Sequence, residues 1–326
     1  MRNTLFGNPR VKRCQPGAAV LFRATVATLA VLLWSGWAGV VQAQVIQWKF
    51  RTGEVLRYAL EQKTVVSTKE MGRETKSTRS HTMNLSWTVK NVSSNGVAEI
   101  THRIERVRVR IEAPPYMPFD FDSDAPKVDA PGPFEAIAQQ TKAMAGVEFV
   151  FKMKPNGEIV DIVVSPQTMK TLRNAEKPPE GAGAGAGEST LSEQGIKDML
   201  AQSSPPPFPV GPLEAGKTWS SKPAKIPTPL GNVVTDKIFT FQGADPKNPN
   251  LVLIGIETRL ALEPVPNSPV AAKIRTHEGK GSLTFDADTG RIVNTRGTEK
   301  TEMLISAMGQ EIDQTTDSTT LMTFQP

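Results

Sequence analysis

Strict alternation of apolar and polar residues across positions 82–90 constrains the fold of this chain more than any other feature. The apolar side chains of this segment are Met83, Leu85, Trp87 and Val89. A period of two places them on one face of an extended chain and the polar residues on the other. The segment therefore predicts a half-buried β-strand.

A second strand is predicted from Val97 to Glu112, after turn residues at 91–96. The two strands make a hairpin. Ile100 and Ile104 share one parity, whereas Val107 has the other, so the apolar face changes near Glu105. A β-bulge at this point restores the register.

More strands are predicted towards the C-terminus, with turns at 245–249 and 288–290. Their ranges are 233–242, 251–263, 279–286, 291–305 and 310–324. The last of them carries polar residues on both parities until Leu321. We expect it to lie near an edge of the sheet, where both faces contact water.

Short helices are predicted between the two strand-rich regions. An apolar stripe follows Gly132-Pro133, Ser165-Pro166 opens a second helix, and Thr190 with Glu193 has the spacing of a capping box for a third. The stripe consists of Phe134, Ile137, Ala138 and Met144. The Gly/Ala run at 181–187 is predicted to be a flexible loop, since it cannot bury enough apolar surface to order itself.

The predicted fold class is α+β, mainly antiparallel β, with one or more curved sheets in two β-rich halves and a few short helices between them. The halves span 44–165 and 211–326, and 166–210 holds helices and a Gly/Ala/Pro-rich linker. Residues 151–161 and 285–294 both have the pattern of a hairpin with a glycine turn. A two-half repeat and coincidental turn chemistry both explain this similarity.

The N-terminal 43 residues have the pattern of a secretory signal peptide. Basic residues precede an apolar run at 24–39, and Val41 and Ala43 suit a signal peptidase. The basic residues are Arg2, Arg10, Lys12, Arg13 and Arg23. We expect cleavage after Ala43 and a periplasmic or secreted mature chain. An N-terminal membrane anchor is the alternative, although the apolar run is shorter than the roughly 20 residues of a membrane span.

Loss of the leader changes the charge balance. The whole chain has 38 Lys and Arg against 33 Asp and Glu, and the leader holds five of the basic residues and no acidic one. The mature chain would have 38 − 5 = 33 basic against 33 acidic residues. The basic character that suggests a nucleic-acid partner therefore belongs to the leader. The single cysteine, Cys14, also lies there, which leaves the mature chain without disulfides or cysteine metal ligands.

Two motifs in the mature chain resemble ligand sites. Residues 211–218 match the phosphate-loop pattern, but proline-rich sequence precedes them and Trp219 to Pro223 follows, so the buried strand and the helix that cradle phosphate are missing. A turn entering a strand is the better interpretation. Asp120, Asp122 and Asp124 alternate as in a calcium loop, but Ala125 replaces the required glycine. An acidic, solvated loop is expected there.

Histidine and arginine patterns give no catalytic prediction. His102 has the apolar parity of its strand and is expected to be structural, while His277 and Glu278 point to opposite faces of a strand. The side chains of Arg106, Arg108 and Arg110 share one parity. They indicate a solvated strand face, with an anion-binding surface as the alternative. No catalytic, cofactor-binding or metal-binding residue is predicted, nor any cofactor.

The chain resembles a broad group of uncharacterised exported β-rich bacterial proteins. The resemblance rests on the leader, on a proline-rich segment before Gly216-Lys217-Thr218-Trp219, and on the hairpin at 283–292. It implies no activity. We expect a non-enzymatic exported protein that binds a lipid or other apolar ligand, or a cell-envelope partner, and neither nucleic acid nor nucleotide. A hydrolase of envelope polymers that uses paired carboxylates is the alternative.

Overall fold

The computed structural model describes residues 43–125, 132–175, 207–228, 230–264, 270–307 and 309–326. These residues hold thirteen β-strands, two α-helices and a 3-10 turn. Their strand pairings are antiparallel. The predicted fold class, mainly antiparallel β with a few short helices, is confirmed.

Six strands come from the N-terminal side of the chain and seven from the C-terminal side. The first six are β1 (Val55–Glu70), β2 (Arg73–Val92), β3 (Ala98–Glu112), β4 (Phe119–Asp122), β5 (Glu148–Met153) and β6 (Ile159–Val164). The others are β7 (Thr218–Ser220), β8 (Ala224–Thr228), β9 (Gly231–Asp245), β10 (Asn248–Glu263), β11 (Val270–Asp286), β12 (Arg291–Ala307) and β13 (Gln310–Gln325).

One curved, open sheet contains all of these strands in the order β6-β5-β3-β2-β1-β13-β12-β11-β10-β9-β7, with β4 on β3 and β8 on β9. The two sides of the chain meet at β1 and β13, where Tyr58 lies opposite Phe324. The edge position predicted for the last strand is therefore wrong. Its polar residues on both parities, such as Thr316 opposite Thr301, belong to a central strand whose Thr, Ser and Gln side chains pair across the sheet.

The two hydrophobic clusters lie on the same side of the sheet, which we call the inner face. The larger cluster is aromatic and includes Trp48, Trp87, Phe208, Phe241 and Phe285. The smaller one joins β3 and β4 to the first helix. The opposite, outer face carries mostly Thr, Ser, Lys, Arg and Glu.

The segment that follows the predicted cleavage site ties two hairpin turns together. The amide of Trp48 donates to the carbonyl of Pro155 in the β5–β6 turn at 2.7 Å, and the amide of Lys49 donates to Gly290 in the β11–β12 turn at 3.2 Å. The Trp48 ring also lies 5.5 Å from the Phe285 ring. This segment therefore joins turns from the N-terminal and C-terminal groups of strands in one core.

Both helices that the structure describes match predictions. The first, α1 (Glu135–Met144), buries Ala138, and the second, α2 (Pro166–Ala175), is capped by Ser165, whose Oγ accepts from the amide of Thr168 at 3.0 Å. The bulge near Glu105 is confirmed, since the β2–β3 register shifts between Leu85 and Asn84. The predicted helix at Thr190 and the loop at 181–187 lie outside the described residues.

Candidate functional site

The inner face extends well beyond the two clusters, towards the strand ends near Met71 and Gly309. Five large apolar residues of this region are half-buried and belong to neither cluster. They are Val66, Ile274, Met303, Ile305 and Ile312. Strand register places Ile274 opposite Met303 and Ile305 opposite Ile312, and it places Val66 one row nearer the aromatic cluster, on β1. We call these five residues the distal inner face.

A glycine strip separates the distal inner face from the aromatic cluster. Gly281 on β11 lies directly opposite Gly297 on β12. A Cβ atom at Gly281 would lie 2.6 Å from the carbonyl oxygen of Arg296, so the strands approach too closely there for a side chain. The strip leaves bare backbone on the inner face between two apolar regions.

The β10–β11 ladder ends beside this strip. Its last pair is Thr258 and Gly279, although β10 continues to Glu263 on β9 and β11 begins at Val270 on β12. His277 fills the end of the ladder: Nε2 lies 3.1 Å from the carbonyl oxygen of Thr258 and Nδ1 lies 2.9 Å from Oγ1 of Thr301. A carbonyl only accepts, so Nε2 carries a proton and donates to Thr258. The imidazole is thus a structural element of the ladder end.

His102 is structural, as predicted from its parity. Its Nδ1 accepts a hydrogen bond from Nε1 of Trp87 at 2.8 Å, and burial lowers the pKa of His102 to about 4. His81 faces the same side of the sheet, and burial, followed by the charge of Arg79, lowers its pKa. Both imidazoles are therefore mainly neutral at neutral pH.

The arginine face and the acidic loop of the sequence bind each other. Nε of Arg106 donates to Asp122 at 2.9 Å, Nε of Arg108 donates to the same carboxylate at 3.0 Å, and Arg110 reaches Asp120 at 2.8 Å. Hydrogen bonds from Arg106 hold the pKa of Asp122 below its usual range. These arginines are therefore neutralised in place. In the described part of the chain, no group of three or more metal-ligating side chains occurs.

The phosphate-loop pattern is a turn that enters a strand. Gly216 has a φ of 89° and its amide donates to the carbonyl of Phe241 at 2.7 Å. Strand β7 begins at Thr218, where a nucleotide-binding protein needs a helix. The backbone amide of Gly216 is thus already hydrogen-bonded to strand β9 of the sheet.

One buried ion pair was not predicted from sequence. Nη2 of Arg291 donates to Oε1 of Glu54 at 2.8 Å, and the two side chains are 20% and 17% exposed. The guanidinium also lies 5.4 Å from the centre of the Phe324 ring. Burial raises the pKa of the neighbouring Tyr58, which keeps its phenol neutral. The alternation of Leu56 and Tyr58 in the sequence was the available signal for strand β1. The ion pair joins residues 237 positions apart, so local alternation could not reveal it.

Comparisons with known proteins give no family. No family model and no curated protein matches the chain. Among solved structures, lipovitellin, from a study of its lipid–protein interactions, is similar at 13% identity and a TM-score of 0.44 over 85% of this chain, which spans 26% of lipovitellin. OccK5 (OpdH) of Pseudomonas aeruginosa is similar at 6% identity and a TM-score of 0.23, over 84% of this chain and 99% of that one.

A third solved structure is a protein of unknown function from the DUF3598 family of Nostoc punctiforme PCC 73102. It is 8% identical, with a TM-score of 0.12, over 79% of this chain and 94% of that one. Similarities this weak do not place the chain in any of these groups. Across the described ranges, no helix has the length and apolarity of a membrane span.

Proposed function

We propose that this is an exported, non-enzymatic binding protein whose distal inner face holds an apolar ligand such as a lipid acyl chain. The observation that carries the proposal is the group of five half-buried apolar residues outside both hydrophobic clusters. Contiguous apolar surface that a protein leaves partly open to water marks a binding surface. Export, with cleavage after Ala43, is part of the proposal.

The two faces of β1 differ in a way that supports this choice. Val66 lies on the inner face opposite Thr316, whereas Val65 lies on the outer face opposite Asp317. Val65 adjoins Asp317 and Thr78, whereas Val66 adjoins Thr316 and Ser77, so only the outer position has a charged neighbour. The inner face joins the aromatic cluster to the distal inner face through the glycine strip and a row that includes Thr64, Ser318 and Glu299.

Three of the carboxylates that the structure describes are held by arginines. Asp120 and Asp122 are bound by arginines, and Glu54 is held by Arg291. A hydrolase of envelope polymers needs two carboxyl groups that face one substrate, one of them free to take up and release a proton. These three carboxylates are instead fixed as partners of guanidinium groups.

Native mass spectrometry of protein exported under its own leader tests the proposal, followed by solvent extraction and identification of bound lipid. We expect a bound apolar molecule. Val66→Lys places a charge on the distal inner face and should lower lipid occupancy about fivefold or more. Val65→Lys is the matched control on the outer face and should keep it. Equal occupancy in both variants, or no bound lipid in the unaltered protein, would contradict the proposal.

A further inference from the structure

The outer face carries a second concave feature, on the side of the sheet opposite the aromatic cluster. It is an open trough of about 650 Å³ across β1, β2, β3 and β5. Ser86 forms its floor, Arg57 and Arg103 its walls, and Lys90, Glu105 and Glu148 part of its rim. Ser86 is only 5% exposed.

Strand register explains the shape of this trough. Arg57 on β1 lies opposite Ser86 on β2, and Ser86 lies opposite Arg103 on β3. The three side chains therefore stand in a row on one face, with neighbouring Cβ atoms about 5 Å apart. A small hydroxyl residue between two long cationic ones leaves room above it. An oxyanion placed there meets a guanidinium on each side and a hydroxyl below.

The floor of the trough is rigid because the alternate residues of the same strands are in the core. Leu56 is 2% exposed and Trp87 is 8% exposed on the inner face. Trp87 is also fixed by its hydrogen bond to His102 on β3. The strands that carry Arg57, Ser86 and Arg103 thus keep their spacing without a ligand. A preorganised site loses little conformational freedom on binding.

Two of the three cations of this trough are available among the described residues, unlike those of the neighbouring arginine row. In the part of the chain that the structure describes, Arg57 and Lys90 have no carboxylate partner, and Arg103 uses Nη1 for Glu148 at 3.0 Å. By contrast, Arg106 and Arg108 both donate to Asp122. Three cations and two carboxylates line the trough, which leaves one positive charge in excess.

We propose that the trough binds an oxyanion, a phosphate monoester or a carboxylate, that bridges Arg57 and Arg103 above Ser86. Guanidinium groups recognise such groups through paired, charge-assisted hydrogen bonds. The site lies on the opposite face from the apolar surface and is independent of it. A lipid headgroup and a soluble phosphate ester share this chemistry, and the experiment separates them.

Calorimetric titration of the purified protein with glycerol 3-phosphate and with inorganic phosphate tests the site. We expect saturable binding that Arg57→Gln weakens about tenfold or more. Ser86→Val keeps every charge but fills the floor, and should also weaken binding. Arg110→Gln, on the same face but paired with Glu112 and Asp120, is the matched control and should change binding less than about twofold.

Vesicle-binding measurements distinguish a lipid headgroup from a soluble ester as the source of the oxyanion. Binding to vesicles that contain phosphatidic acid, whose headgroup is a phosphate monoester, supports a lipid headgroup if it is lost in Arg57→Gln and absent for phosphatidylcholine alone. Binding of glycerol 3-phosphate alone supports a soluble ester. The proposal is overturned if neither the vesicles nor glycerol 3-phosphate binds. It is also overturned if Arg110→Gln weakens binding as much as Arg57→Gln, because the effect would then be general attraction to a charged face. Thermal unfolding of each variant verifies that it is folded.

Discussion

Nε1 of Trp87 donates a hydrogen bond to Nδ1 of His102 on the neighbouring strand, at 2.8 Å. The bond requires the neutral imidazole, because Nδ1 of a protonated histidine carries its own hydrogen and cannot accept. Phe149 also packs near the His102 ring, at 6.2 Å between ring centres. An uncharged His102 is therefore part of the packing that holds β2, β3 and β5 together.

The stability of the fold should fall in acid because of His102. Burial lowers its pKa from 6.5 to about 4 in the folded protein, so the unfolded chain takes up a proton first as pH falls. The stabilising contribution is complete above pH 6.5 and disappears as pH falls towards 4. Over this window the loss amounts to about 3 kcal/mol. Urea unfolding at several pH values measures it.

His102→Gln is the control for that titration, since its amide oxygen still accepts from Trp87 and does not titrate. We expect the variant to be less stable at pH 7 but less sensitive to acid between pH 6.5 and 4. Burial lowers the pKa of His81 as well, so some pH dependence should remain. An unchanged pH dependence in the variant would show that other groups cause the acid sensitivity.

Gly290→Ala should strongly destabilise the protein. The new Cβ atom would lie 2.4 Å from the amide nitrogen of Lys49, and Gly290 has a φ of 68°. Gly72→Ala is the matched control, because Gly72 has a φ of 78° and a Cβ atom there would have no neighbour within 4 Å. We expect a loss of about 1 kcal/mol for Gly72→Ala and about 3 kcal/mol for Gly290→Ala. Equal losses in urea unfolding would mean that the contact with Lys49 contributes nothing.

Local patterns in the sequence were sufficient to predict the hairpin of β2 and β3. The alternation ending at Val89 and the parity change at Glu105 depend on neighbours a few positions apart, and the structure has both features. The cap at Ser165 is equally local. The position of β13 was not predictable in this way, because its partner β1 begins at Val55, far from it in the sequence.

Predicting the candidate sites would have required the register in which the strands pair. Arg106 and Asp122 were each recognisable as charged patterns, but only the pairing of β3 with β4 shows that they neutralise each other. No pattern in the sequence indicated a role for Arg57. It becomes part of a site because Ser86 and Arg103 lie beside it on neighbouring strands. Side-chain chemistry was visible in the sequence, whereas the distances between distant residues were not.

Met71→Asn should stabilise the β1–β2 hairpin. Met71 adopts a φ of 47°, followed by Gly72 at 78°, and the Met71 side chain is 79% exposed. Asparagine tolerates positive φ better than methionine and is preferred at this position of a two-residue hairpin turn. We expect a gain of about 0.5–1 kcal/mol. Met117→Asn is the control, since Met117 is 82% exposed without positive φ, and its stability should hardly change.

Glu54→Gln should destabilise the junction between β1 and the start of β12. The substitution leaves Arg291 charged, with its side chain 20% exposed and its guanidinium beside Phe324, but without the carboxylate that it binds at 2.8 Å. Removing one partner of a mostly buried pair costs about 3 kcal/mol. Glu112→Gln breaks the exposed pair with Arg110 and should cost less than about 0.5 kcal/mol.

A double-mutant cycle separates the ion pair from simple loss of packing at this junction. Arg291→Met keeps much of the side-chain volume over Phe324, so combining it with Glu54→Gln removes both charges from the same place. We expect the double variant to be more stable than Glu54→Gln alone, because no unpaired charge is left buried. If the two losses simply add in urea unfolding, Glu54 and Arg291 stabilise the junction independently rather than through their ion pair.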